Sequence, residues 1–338
     1  MANMNSPYRR PRCPRNLLMT ICLAVWAMLL APQTAHAAER LVICYVKVQT
    51  PLVEIAKLRN FYTDERLDVE LRVFPSGIQA LEAMFAGECA LATVAEPPTV
   101  HHSLNRNDFF ILASLSQSDN FTRLIARSDR GILTPADLRG RSIAVPKFTT
   151  AHYFLDMYLV AHGLTPQDVK QVFLPPQELA AAFRRGEVDA VAHWEPFIQK
   201  LAEEFGAKAK VFSVPGMHVT PFLLVGGRDY VRKNPAAIER VLRALVRAER
   251  YSKEQPANAK ALVARFYNME KREIDFIWSV RDHRVSLDQS LLFLLENVAR
   301  WEIGLMPPAQ RPALPNYLDF IYLDGLKTVK PEAVTIIH

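Results

Sequence analysis

Two Glu-Pro pairs, Glu96-Pro97 and Glu195-Pro196, each stand nine residues after a glycine, Gly87 and Gly186, and each follows a short apolar run. Carboxylates at the ends of buried strands have two uses. Facing a cleft, they favour a ligand rich in hydrogen-bond donors, such as an amine or a heterocycle, and disfavour a purely anionic one. Facing inward, each holds its own loop by accepting backbone N–H bonds, and the following Pro fixes an extended backbone either way. Near the second pair stand Thr149 and Thr150 beside an expected helix N-terminus, Lys147, His152, and Trp194, a large apolar face with one N–H donor. The two hydroxyls suit a ligand or serve as N-caps. Gln49 and Thr50 hold the matching place upstream, and Ser118 closes a polar stretch with Ser114, Ser116 and Gln117. These groups suit non-covalent enclosure of a small molecule.

Constellations for making and breaking bonds are absent from the sequence. There is no Gly-x-Ser-x-Gly elbow, no His-Glu-x-x-His, no Gly-rich phosphate loop and no closely spaced Cys pair. No catalytic residue, metal or cofactor is therefore expected. His101-His102 lack further ligands at helical spacing and read as solvated side chains. For an enzyme on this chain, His152 or Glu195 would be the credible acid or base.

The elements that must position these groups occur twice. In the second copy they are a strand at 142–146, a loop at 147–150, a helix at 151–161, a strand at 169–174, a helix at 179–185 and a strand at 188–192. The first copy has a strand at 41–46, a loop at Gln49-Thr50, a helix from Pro51 through Phe61-Tyr62, a strand at 67–74, a helix at 78–86 and a strand at 90–95. The strand starts lie 55 and 53 residues before the two Glu, an internal repeat that predicts two similar lobes. Strands and helices alternating through short connections predict an α/β chain in which each lobe is a mainly parallel sheet flanked by helices. In such sheets ligands bind outside the carboxyl ends of strands. That rule selects the loops at 48–50, 96–98, 147–152 and 193–196.

The rest of the chain completes this plan. Two more strands are expected at 109–115 and 122–126, and Thr134-Pro135 and Thr165-Pro166 open capped turns ending at Asp137 and Asp168. Strands at 211–214 and 221–225 return the chain toward the first lobe. Asn234-Pro235 then begins an amphipathic helix with Ile238, Val241, Leu242, Leu245 and Val246 on one face. Further helices are expected at 257–267, 271–280 and 288–302, the last from Ser286 with Gln289 in capping-box spacing, and the tail at 318–338 is expected to be extended. Crossings near 124–128 and 221–226 divide the chain into a leader (1–38), a first-lobe segment (39–126), the second lobe (127–220) and a completing first-lobe segment (221–338). Two such crossings are the hinge of a clamshell.

The leader has Arg9, Arg10, Arg12 and Arg15 before an apolar run at 17–31, then Ala35-His36-Ala37, the pattern of a cleaved signal peptide for secretion to the periplasm. The run is shorter than the ~20 residues needed to span a bilayer. Without these four Arg the formal charge of +6 falls to +2, so no nucleic-acid partner is implied. Cys44 and Cys89 fall in expected buried strands and read as two inert core thiols rather than a disulfide.

Residues 131–146 (GILTPADLRGRSIAVP), Thr150, His152-Tyr153, Gly163-Leu164, Asp168-Val169, 183–189 and Trp194-Glu195-Pro196 together resemble the periplasmic solute-binding proteins of ABC importers in the nitrate, sulfonate and taurine group. That group includes binders of thiamin pyrimidine precursors. The resemblance covers nearly the whole chain after the leader. It implies a two-lobed periplasmic-binding-protein fold of type 2, the Venus flytrap, with no cofactor. It also implies a periplasmic monomer that captures a small organic solute, sulfonate- or taurine-like or bearing a heterocycle or amine, and delivers it to a membrane ABC permease. The ligand would lie between Gln49, Thr50 and Glu96, with Ser118, on one side and Thr149, Thr150, His152, Trp194 and Glu195 on the other. Family members often carry Gly at the position of Phe148 and Asp at that of Glu195. The alternatives are an enzyme on the same fold acting on a small heterocycle and a periplasmic ligand-sensing module; the cysteine-rich motif of the enzyme branch is absent.

Overall fold

The computed structural model describes Met1, residues 38–47 and residues 49–337. Residues 2–37 of the expected leader, and Val48, lie outside the described residues. From Ala38 onward the chain runs β1 (Glu39–Tyr45), α1 (Pro51–Leu58), α2 (Phe61–Asp64), β2 (Leu67–Val73), α3 (Gly77–Phe85), β3 (Leu91–Ala95), α4 (Glu96–Ser103) and β4 (Phe109–Ser118). It continues with β5 (Thr122–Arg127), β6 (Ser142–Val145), α5 (Thr150–Ala161), β7 (Lys170–Phe173), α6 (Leu179–Arg185), β8 (Ala190–Trp194), α7 (Phe197–Phe205) and β9 (Ala209–Phe212). Next come β10 (Thr220–Gly227), α8 (Arg228–Lys233), α9 (Pro235–Glu254), α10 (Pro256–Tyr267), α11 (Lys271–Ser279), α12 (Ser290–Leu305) and α13 (Leu323–Val329).

The strands form two five-stranded sheets, ordered β2-β1-β3-β10-β4 and β7-β6-β8-β5-β9. In the first, β1 is parallel to β2 and β3, and β10 is antiparallel to β3 and β4. In the second, β6 is parallel to β7 and β8, and β5 is antiparallel to β8 and β9. Four strands in each sheet thus run one way and one runs against them. The repeat seen in the sequence is a repeat of topology.

Alternation along the second sheet separates its two faces. Leu124, Ile143 and Val145 pack with α5, while their neighbours Ile125 and Ala144 pack on the other side with Leu179 and Phe183 of α6 and Ile198 of α7. β3 is buried at every position, as a strand covered on both faces must be. Gly87 (φ 80°) and Gly186 (φ 71°), just past α3 and α6, take the left-handed conformation that stops a helix. On α9, Ile238, Val241, Leu242 and Leu245 are fully buried in the first sheet's core. Among the described residues no helix is long and apolar enough to cross a membrane.

Several expectations are corrected. The links between the sheets are residues 119–121 and 213–219, whereas 124–128 and 221–226 fall largely within β5 and β10. β5, expected in the first lobe, belongs to the second sheet because both its edges pair there, with β8 and β9. The first helix breaks at Asn60, which is left-handed (φ 60°). Ser286 donates to Asp288 instead of forming a box with Gln289, and α12 starts at Ser290. The tail carries α13, which buries Leu326, rather than running extended.

Cys44 and Cys89 are joined as a disulfide, with Cα atoms 5.8 Å apart. Burial was the basis for expecting two thiols; the adjacency of β1 and β3, which brings the pair within bridging span, is a tertiary fact. Closing a loop with a sequence separation of 45 restricts the unfolded chain by about 4 kcal/mol in the chain-entropy account. A Cys44→Ala/Cys89→Ala double variant is therefore expected to unfold at lower urea, and reductant should lower the midpoint of the wild type only. Equal midpoints with and without reductant would contradict the bridge.

Candidate functional site

The carboxyl ends of β1, β2 and β8 open on one cavity of about 550 Å³. Val46, Lys47 and Gln49 follow β1, Phe74 and Pro75 follow β2, and Trp194, Glu195 and Pro196 end β8. Tyr267 at the end of α10, Asn268 and Met269 in the turn and Glu273 in α11 complete the lining. A volume of this size suits a small organic molecule. A neighbouring cavity of about 300 Å³ lies between Ser76 and Gln79 at the start of α3 and Pro146, Lys147 and Thr149 after β6.

Phe121 and Trp194 line the larger cavity, and Phe121 lies in the link between the two sheets. Phe121 precedes β5 and meets Phe222 of β10 edge-on, with ring centroids 5.1 Å apart, while Trp194 and Ala95 pack against the pair. Trp194 lies opposite Thr122 in the second sheet and Ala95 opposite Phe222 in the first. Corresponding strand ends of the two copies therefore meet in one apolar knot. The Arg281 guanidinium, almost wholly buried, stacks over Phe121 at 4.4 Å and Phe222 at 5.3 Å.

Both carboxylates are bonded from within the protein. Glu195 Oε2 accepts the Gln199 N–H of α7 at 3.0 Å. Its Oε1 lies 3.3 Å from Arg123 Nη1, an ion pair without hydrogen-bond alignment. Burial pushes this carboxyl above its ordinary value, and the Gln199 N–H and the Arg123 charge pull it back. Glu96 is fully buried at the start of α4 with Oε1 hydrogen-bonded to His218 Nε2, and burial raises its carboxyl as well. The inward use of the two Glu is the one these bonds display. Glu195 also keeps a place in the cavity wall.

Other charges at the cavity are arranged across the groove. Lys200 of α7 pairs with Glu273 of α11 at 2.8 Å, and Arg272 of α11 pairs with Glu203 of α7. Lys47 has no acidic partner among the described residues; its ammonium faces the Tyr267 ring at 5.4 Å. The charges of the wall itself, Lys47 and Lys200 against Glu195 and Glu273, balance; with Glu195 paired to Arg123 behind the wall and Glu273 to Lys200, Lys47 is the cation left unmatched. No group of three or more His, Cys, Asp or Glu disposed to hold a metal occurs among the described residues.

The nine candidate residues are thus divided. Gln49, Trp194 and Glu195 share the 550 Å³ cavity, and Thr149 lines the adjoining one while donating to the Pro146 carbonyl at 2.7 Å. His152 lines a third cavity, and Ser118 a crevice of about 10 Å³ where it donates to the Val280 carbonyl. Thr50, Thr150 and Glu96 are buried and line none of these cavities. Thr50 Oγ1 has no hydrogen-bond partner, although it stands at the N-cap of α1. Sequence reasoning missed Phe74 and Pro75, which the strand-end rule would have found if applied to β2. It also missed Tyr267, Asn268, Met269 and Glu273, whose approach across the groove has no local signal.

The raised Glu195 carboxyl gives a pH test. A carboxyl whose folded value exceeds its unfolded value contributes stability that is complete below 4.5 and lost as pH rises through the folded value. Glu195→Gln retains an acceptor for the Gln199 N–H and removes the titration. The urea midpoint of the wild type is expected to fall more steeply than the variant's from pH 4.5 to pH 7; parallel profiles would contradict the assignment.

Comparison with known proteins places this groove in context. The sequence pattern of the family described as NMT1/THI5 like matches residues 50–259, more than half of the chain. An aliphatic sulfonates-binding protein of Escherichia coli is 27% identical over 211 residues, which cover 62% of this chain and 65% of that protein. The taurine-binding periplasmic protein of Escherichia coli is 26% identical over 199 residues, covering 58% of this chain and 61% of its own length. The chain thus spans less than two thirds of each of these two relatives. The crystal structure of the periplasmic aliphatic sulphonate binding protein SsuA from Escherichia coli superposes with a TM-score of 0.70 at 22% identity, over 85% of this chain and 98% of that one. The fold is the two-lobed periplasmic-binding-protein fold, and the chain belongs to the NMT1/THI5 like family.

Proposed function

We propose that this chain is the periplasmic solute-binding component of an ABC importer and that it holds a small organic sulfonate in the 550 Å³ cavity. The observation that carries this reading is the internal bonding of Glu96 and Glu195. Glu195, the one that lines the cavity, is paired with Arg123 and accepts the Gln199 N–H, and Glu96, bonded to His218, lies outside the cavity wall, so the ligand meets one carboxylate that already has a cation. Lys47 remains as a cation for an oxyanion, Gln49 as a hydrogen-bonding amide, and Trp194, Phe121 and Phe74 as a wall for an aliphatic chain. Relatives that bind sulfonates and taurine support the same class of ligand. Delivery to a membrane permease and a monomeric state belong to the same reading. His152 and Glu195, the two residues with acid–base potential, line different cavities and do not form a catalytic pair.

Micromolar affinity corresponds to about −8 kcal/mol, within reach of one charge contact, a few hydrogen bonds and an aromatic wall. In isothermal titration, 1-butanesulfonate or taurine is expected to bind the wild type. Trp194→Ala and Lys47→Ala should each weaken binding at least tenfold while leaving the circular dichroism spectrum intact. Unchanged affinity in both variants would remove this cavity from the binding site.

A further inference from the structure

The internal repeat places a lysine at the same point of each copy. Lys47 stands two residues past Tyr45, the end of β1, and Lys147 two residues past Val145, the end of β6; each of these strands runs parallel to both of its neighbours. Lys47 lines the cavity of about 550 Å³ and Lys147 the neighbouring one of about 300 Å³. The two linings meet at consecutive residues, Pro75 in the first and Ser76 in the second. Each ammonium lies over aromatic rings, Lys47 over Tyr267 at 5.4 Å and Lys147 over Phe148 at 4.7 Å and Phe173 at 5.3 Å. Neither has an acidic partner among the described residues.

The loop that carries Lys147 is held firmly. Phe148, next in the chain, sits at φ 57°, a conformation that a bulky residue rarely adopts. Its ring stacks on His101 of α4 at 4.3 Å, and its N–H donates to His152 Nδ1 of α5 at 3.3 Å. His101, expected to be solvated, is partly buried. Lys147 also borders a third cavity, but the lining there includes the carboxylates Asp156 and Glu302, which repel an anion. In the 300 Å³ cavity Lys147 is the one charged group of the lining. Ser76 Oγ donates to Gln79 Oε1 at 3.1 Å, which leaves the Gln79 amide nitrogen as a donor on the same wall. Across the two linings together, Glu273 is paired with Lys200 and Glu195 with Arg123 behind the wall, so the charges left unmatched are Lys47 and Lys147.

Resting on the sulfonate reading of the larger cavity, we infer that the two cavities form one site for a doubly charged ligand: an organic sulfonate with a second oxyanion, sulfonate or carboxylate, at the far end of its carbon chain. One end lies on Lys47 with the Gln49 amide, the other on Lys147 with the Gln79 amide. Phe74, Ile78 and Leu174 supply apolar surface for the chain. Two oxyanions in one molecule bind more tightly than one because the second meets its lysine at the high effective concentration set by the first. That gain vanishes when the chain is too short to span the two cations.

Calorimetric titration of the mature protein at constant ionic strength tests this, comparing 1-butanesulfonate with ethanedisulfonate, butanedisulfonate and hexanedisulfonate, each with its sulfonates on the terminal carbons. At least one disulfonate is expected to bind the wild type one-to-one and at least tenfold more tightly than butanesulfonate, with affinity changing at least tenfold along the series. Lys147→Met, at an exposed position, keeps an apolar stem over the rings and should bring the ratio of disulfonate to butanesulfonate affinity close to one. Butanesulfonate binding with no disulfonate tighter, equal affinity for the three disulfonates, two butanesulfonates bound per chain, or a ratio unchanged in Lys147→Met would each overturn the doubly charged ligand and leave the sulfonate reading standing. A wild type that binds none of the four compounds would overturn both.

Discussion

The structure depends on how two carboxylates at the ends of central strands are satisfied. A buried ionised carboxyl without partners is too costly to keep, and β3 and β8 each end in one. The partners come from the parts of the chain that cross between sheets. Arg123 is the second residue of β5, the antiparallel strand beside β8; His218 lies in the link leading into β10, the antiparallel strand beside β3. The reversed strand in each sheet therefore does more than complete the hydrogen-bond ladder. β5 brings Arg123 to the end of β8, where the groove opens, and the link into β10 brings His218 to Glu96, buried outside the groove wall at the end of β3.

Beside the first crossing lies the apolar knot of Phe121, from the link itself, with Phe222 of β10, Ala95 of β3 and Trp194 of β8. Through Phe121 and Trp194 the knot forms part of the groove wall, and it packs the two sheets together at their strand ends. Ion pairs also join α7 to α11, Lys200 with Glu273 and Arg272 with Glu203, and because each has at least one well-exposed partner each contributes at most about 1 kcal/mol.

Much of this was legible in the sequence because it is local and repeated. The ten strands, the Gly stops at 87 and 186, and the two Glu at the ends of equivalent strands follow from short-range patterns that occur twice. What was not legible is tertiary. The direction of the Glu side chains depends on Arg123 and His218, which no spacing rule associates with them. The Cys44–Cys89 bridge depends on which strands are neighbours. Tyr267 to Glu273 reach the groove only because the C-terminal helices fold back over the first sheet. β5 was placed in the wrong lobe because a strand's own residues do not say which sheet its edges will join. The helical tail was missed for a simpler reason, since Pro and Gly around Leu323–Val329 weaken a helical pattern of only seven residues.

The central claim is that pairing of Glu195 with Arg123 leaves a groove able to enclose an organic oxyanion unchanged. Native mass spectrometry of the mature protein with 1-butanesulfonate tests it most directly. The account predicts a one-to-one complex whose mass is the sum of the two intact partners, and release of unaltered sulfonate on unfolding. Absence of any complex at a hundredfold excess of sulfonate, or recovery of a chemically converted product, would contradict it.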